Sequence, residues 1–106
     1  MTDLGAEKVI VAEKGLTRIA VEVKSFINLS PIADFRDAVG QYGLYISALE
    51  MKNSDRILYL AIPDEVFYRL VKKEVIRRTI EFFGVNILLY NITTKTITSW
   101  IASPIS

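Results

Sequence analysis

Apolar and polar positions change their period several times along this chain. Residues 7–13 and 17–26 are β-branched runs with strand character, and Gly15-Leu16 between them reads as a two-residue hairpin turn with glycine at its first central position. In that register Lys14 faces Thr17, Val9 faces Glu22 and Glu7 faces Lys24. Period two then sends Ile19, Val21 and Val23 to one face of the sheet and Glu22 with Lys24 to the other. From Ser30 the period becomes helical. Serine is the N-cap, Pro31 takes the first helical position and Asp34 the first turn. Ile32, Phe35, Ala38, Val39, Tyr42, Ile46 and Leu49 recur at three- and four-residue steps, which describes one amphipathic helix to about Lys52. Gly40 and Gly43 interrupt it, each weakening the helix by up to about 1 kcal/mol relative to alanine, and predict close backbone packing on that side.

Residues 56–62 are apolar nearly throughout and predict a central strand covered on both faces. Pro63-Asp64-Glu65 opens a second helix that ends near Gly84. Residues 85–90 and 97–101 read as a closing pair of strands. The predicted order is strand, strand, helix, strand, helix, strand, strand in a single domain over 1–106. The fold class that follows is α/β (α+β), a mixed β-sheet between flanking helices.

Composition narrows the chemistry. Half of the residues are apolar (51%), which excludes a disordered chain, and the absence of both histidine and cysteine removes disulfides, thiolate nucleophiles, Cys/His zinc sites and imidazole-based triads. Carboxylates, lysines, hydroxyls and amides remain. A formal charge of +1 supplies no global attraction for nucleic acid, so DNA contact requires a local basic face. Arg69, Lys73 and Arg77, at steps of four with Lys72 and Arg78 nearby, form either such a face along a phosphate backbone or an ordinary solvated helix surface. No apolar run approaches the roughly 20 residues of a membrane helix, and Met1-Thr2-Asp3 begins no signal peptide. The expectation is a cytoplasmic protein without membrane contact. Trp100 reads as a packing anchor for the last hairpin or for a subunit contact.

Glu22-Val23-Lys24 at the end of an apolar strand, with an acid upstream across a hairpin, a helix next and then a buried strand, resembles the core of the PD-(D/E)xK nuclease superfamily. More closely, Asp3-Leu4-Gly5-Ala6-Glu7-Lys8, Ala12-Glu13-Lys14, Ile19-Ala20-Val21-Glu22-Val23-Lys24-Ser25-Phe26, Gly40-Gln41-Tyr42 and Ile57-Leu58-Tyr59-Leu60-Ala61 resemble the XisH family. That family is known as the fdxN element excision-controlling factors of cyanobacteria, and the similarity runs over nearly the whole chain.

The resemblance implies a restriction-endonuclease-like core lacking its N-terminal helix, because the chain starts almost at the motif aspartate. A domain without that layer exposes a sheet edge or face for another subunit, so a homo-oligomer is expected. The resemblance also implies a site that binds Mg²⁺ or Mn²⁺ through hard oxygen ligands. Glu22 is then a metal ligand, and Lys24 orients the nucleophile or stabilises the transition state at phosphorus. The second carboxylate is either Asp3, which matches the motif aspartate in type, or Glu7, which the hairpin register brings opposite Lys24. Gln41 and Tyr45 have the Gln-x-x-x-Tyr spacing of RecB-like members; residues four apart share a helical face and approach a metal-bound water or a DNA phosphate.

Three functions compete: control of DNA-element excision through DNA or a recombinase, metal-dependent endonuclease activity, and a non-catalytic homo-oligomeric interaction protein on an inherited scaffold. The first describes the role best and the second the ancestry of the site. Beside all three stands the plain reading of Glu22 and Lys24 as an ion pair on a half-exposed sheet.

Overall fold

The computed structural model describes residues 2–4 and 7–102, with side chains from residue 11 onward. Its elements are β1 (Thr2–Leu4), β2 (Glu7–Lys14), β3 (Thr17–Val23), α1 (Pro31–Met51), β4 (Ile57–Pro63), α2 (Asp64–Leu70), α3 (Glu74–Phe83), β5 (Ile87–Asn91) and β6 (Thr96–Ile101). The strands form one six-stranded sheet in the order β1-β2-β3-β4-β5-β6. The two inner pairings, β3 with β4 and β4 with β5, are parallel, and the outer ones are antiparallel. This is the expected mixed sheet of an α+β protein.

Local signals set the elements. Gly15 adopts φ 63° between Lys14 and Thr17, which pair directly, so the hairpin has the predicted register and Val9 lies opposite Glu22. Ser30 Oγ accepts from the Ala33 N–H at 3.3 Å, and Pro31 opens α1. Asp34, fully buried in the first turn, accepts from the Asn28 N–H at 3.2 Å and from Asn28 Nδ2 at 2.6 Å, pinning the β3–α1 connection to the helix. Gly84, at φ 61° and ψ 42°, ends α3 in the left-handed conformation that favours glycine.

Alternate strand residues feed two separate cores. Ala20, Leu58, Leu60, Ile62, Ile87 and Leu89 pack with Phe35, Ala38, Tyr42 and Tyr45 of α1, with Val66 and Leu70 of α2, and with Ile76 of α3. The other core consists of strand residues alone: Ile19, Val21, Tyr59, Ala61 and Leu88, flanked by Val23, Tyr90 and Trp100. The helices therefore all lie on one face, which corrects the expectation of a sheet between helices. Handedness is the cause. The chain steps from β3 to β4 to β5 in one direction, and two right-handed crossovers made in the same direction land on the same side. The bare face is partly closed by curling of the sheet, which brings Trp100 of β6 edge-on to Tyr59 at 5.1 Å and Lys14 Nζ of β2 to 5.2 Å from the Trp100 ring centre. Trp100 is thus a packing anchor of this second core.

Two further expectations are corrected. The helix expected from Pro63 to near Gly84 is broken, with Lys73 extended at φ −92° and ψ 126°. Charge marks the break: α2 begins with Asp64 and Glu65 and ends with Arg69, and a new acid, Glu74, starts α3. The close packing expected at Gly40 and Gly43 is absent, since a methyl group at either would meet nothing within 4 Å.

Candidate functional site

Strand β3 carries Glu22 into the helix-covered face, in a row that runs from Val9 through Glu22 and Leu60 to Ile87. Glu22 is 0% exposed and Lys24 8%. The half-exposed ion pair is therefore excluded by burial: the Glu22 and Lys24 side chains, two residues apart, are both withdrawn from water. Withdrawing such ions from water costs several kcal/mol each, which ordinary packing does not require.

Helix α1 supplies the roof. Tyr42 and Tyr45 are buried in the same core as the Glu22 row, and Gln41 is half-buried one turn from Tyr45. The Gln41 Oε1 atom is buried and among the described residues receives no hydrogen bond, a costly state for an amide oxygen and one that suits a cation or a donating water. Tyr42 donates its hydroxyl proton to Leu58 O at 3.0 Å and accepts from the Asn86 N–H at 3.1 Å, while Asn86 Nδ2 donates to Leu58 O at 3.2 Å. Burial raises the Tyr42 pKa above its usual 10.0, and the charge of Glu22 and the nearby Tyr59 add to that rise against the opposing pull of the Asn86 hydrogen bonds. Tyr42 and Asn86 are functional-site neighbours that sequence reasoning missed. Tyr42 sits in the apolar stripe of α1, where a phenol reads as core, and Asn86 lies within the apolar run 85–90, just before β5.

The structure places the remaining predicted residues as follows. Asp3 pairs with Lys8, which pairs with Val23, whereas Glu7 lies two residues along β2 from Val9, the partner of Glu22. The assignment of either acid as a metal ligand rests on side chains outside the described residues. Among the described residues no group of three or more Asp, Glu, His or Cys side chains is placed to hold a metal ion. The oxygen donors they offer are the Glu22 carboxylate and Gln41 Oε1, both hard ligands of the kind Mg²⁺ and Mn²⁺ take.

The three basic residues do not share one helical face, because the break between α2 and α3 separates them. Arg69 and Lys73 nevertheless meet, lining a cavity of about 300 Å³ with Ser30, Pro31 and Ile32 at the start of α1. Arg77 has a different task, since its guanidinium donates to Val71 O at the end of α2. On the opposite side of the sheet a groove of about 850 Å³ runs over Val21, Val23, Ala61, Leu88 and Tyr90, and burial raises the Tyr90 pKa.

A mixed sheet with a parallel centre, helices on one face and a buried Glu-x-Lys strand under the first helix defines an α+β protein with an acid–lysine strand at its core. Residues 1–98 match the family model of the XisH proteins, and the chain belongs to the XisH family. Two solved structures are similar to it. An XisH family protein from Nostoc punctiforme PCC 73102 shares 35% sequence identity over 88% of this chain and 73% of its own, with a TM-score of 0.81. An fdxN element excision controlling factor protein from Anabaena variabilis shares 36% identity over the same fractions, also with a TM-score of 0.81. No curated protein matches the chain. No helix among the described residues is long and apolar enough to cross a membrane.

Proposed function

We propose that this protein controls the excision of a DNA element by acting on DNA; its Anabaena variabilis relative is named an fdxN element excision controlling factor protein. The observation that carries the reading is the burial of Glu22 in β3 and of Lys24 just beyond it, with the Glu22 charge felt at Tyr42 of α1 and the nearby Gln41 Oε1 buried as an acceptor. Apolar residues would fill that space at no loss of stability, so two buried charges speak for inherited chemistry.

On this reading the scaffold is a nuclease-like core of the PD-(D/E)xK type. Glu22 would hold Mg²⁺ or Mn²⁺ together with Glu7 or Asp3, and the register favours Glu7. When bound, the cation would neutralise charge on a phosphodiester. Lys24 would set its ammonium against the same phosphate, Gln41 Oε1 would accept a hydrogen bond from a positioned water, and Tyr45 would fix that water or a phosphate oxygen. Arg69 and Lys73, beside the positive end of α1, would follow the DNA backbone outside the site. A recombinase or another excision factor is the expected protein partner, and the cytoplasm the expected compartment.

Gel-shift assays test the reading. The protein should retard duplex DNA at about 50 mM salt and lose affinity steeply by about 200 mM, and Arg69→Ala or Lys73→Ala should each lower the salt slope by about one. Gln41 Oε1 also favours a second reading, an active endonuclease, which predicts Mn²⁺-dependent nicking of plasmid that disappears in Lys24→Ala. Neither retardation at low salt nor nicking would refute direct action on DNA and leave the interaction-protein role.

A further inference from the structure

Helix α3 turns Ile76 and Ile80 to the core, yet Val75 and Phe82 on its flank are 64% and 78% exposed, and Phe83, stacked edge-on against Phe82 at 4.9 Å, is 58% exposed. These residues line a cavity of about 480 Å³ with Thr79, Arg78 and Glu81. Val75 and Phe82 lie seven residues apart, two turns and about 10 Å along the helix, with the small Thr79 between them. An apolar stripe of this kind on an exposed helix marks a contact surface.

We infer that α3 pairs with α3 of a second copy of this chain, antiparallel about a two-fold axis that passes near Thr79. The stripe is self-complementary in that arrangement. A two-fold relation places Val75 of one copy against Phe82 of the other, twice over, so each bulky ring fills the gap beside the smaller residue. The charges agree as well. Both helices present their Arg78 side to the same flank, and the antiparallel rise sets Arg78 about 3 Å along the axis from Glu81 of the second copy. Within its own helix Arg78 gives only Nε, to Glu74 Oε2 at 2.7 Å, and among the described residues no other bond to Arg78 is formed. Its Nη groups are the donors that meet Glu81 of the second copy.

Area sets the strength. Two exposed phenylalanines and a valine offer roughly 300 Å² of apolar surface per copy, against the roughly 800 Å² per partner of a standard stable interface. The pair is therefore weak, dissociating in about the micromolar range or above, and acts when copies are brought together at high local concentration.

Sedimentation velocity across about 1 to 500 µM of the whole chain tests the pairing. The wild type should pass from monomer to dimer over that range, and Val75→Glu with Phe82→Glu, both at exposed positions, should remain monomeric with an unchanged circular dichroism spectrum. Arg78→Glu should raise the dissociation constant about tenfold or more, and adding Glu81→Arg should bring it back to within about threefold of the wild-type value. A wild type that stays monomeric throughout, a dimer indifferent to the Val75→Glu, Phe82→Glu pair, or a charge swap that fails to restore association overturns the inference.

Discussion

Replacing Gly40 and Gly43 by alanine should make the protein more stable, although glycines inside a helix predict close packing. Both lie well inside the 21-residue helix α1, and an added Cβ meets nothing within 4 Å at either. The substitutions therefore introduce no clash. What they change is the helix propensity, by about 0.8–1 kcal/mol each, largely because glycine loses more backbone freedom on folding. Together they should add about 1.5–2 kcal/mol. With an unfolding entropy of about 2.1 cal/mol/K per residue, a chain of 106 residues has about 0.22 kcal/mol/K in total, so the double variant should melt about 7–9 °C higher. Differential scanning calorimetry on dilute protein reads this directly, and urea midpoints should rise in parallel with unchanged slope. A lowered or unchanged melting temperature for either single variant refutes the reasoning, because it means that another surface occupies the space beside α1.

Four other outcomes follow from buried polar groups. Tyr42→Phe removes the hydroxyl shared by Leu58 O and the Asn86 N–H and should cost about 1–3 kcal/mol in urea denaturation. The Tyr42 pKa is raised by folding, so its proton linkage stabilises the fold below about pH 10 and is lost as pH climbs from there towards the folded-state value; the wild type should lose stability across that window more steeply than Tyr42→Phe. Asp34→Ala removes both charge-assisted hydrogen bonds from Asn28 to a fully buried carboxylate and should cost about 1.5–3 kcal/mol, with Asp34→Asn milder, as chemical denaturation will show. Glu22→Leu and Lys24→Met should each cost about 3–5 kcal/mol, whereas the double variant should lie close to the wild type; a double loss equal to the sum of the singles would show the two charges to be energetically independent.

Local period and turn chemistry made much of this fold legible. Gly15 alone fixes the β2–β3 register, and alternation from Lys14 and Thr17 onward then separates Glu22 from Ile19, Val21 and Val23, as observed. Ser30-Pro31 likewise announces α1 to the residue. Other features depend on what lies across the sheet. The break before Glu74 was written in the charges, but a continuous apolar period masked it. Gly40 and Gly43 looked like contact points because the period cannot show whether a neighbour exists. A phenol in the apolar stripe of α1 reads as core, and its bond with the Asn86 N–H joins elements far apart in the chain.

The burial of the candidate site follows from topology rather than from any motif. Right-handed connection from β3 to the parallel β4 requires α1 to return over one particular face, and Glu22 is on it. The next crossover, from β4 to β5, continues in the same direction and adds α2 and α3 to that same face. One rule of chain geometry therefore covers the Glu22 face with all three helices and leaves the opposite face to strand residues alone. Periodicity places charges on a face, but only strand order decides whether a helix covers them. For that reason the Glu-x-Lys spacing could be read at once, while its burial, which separates it from a surface ion pair, became visible only when β3, β4 and β5 were seen side by side.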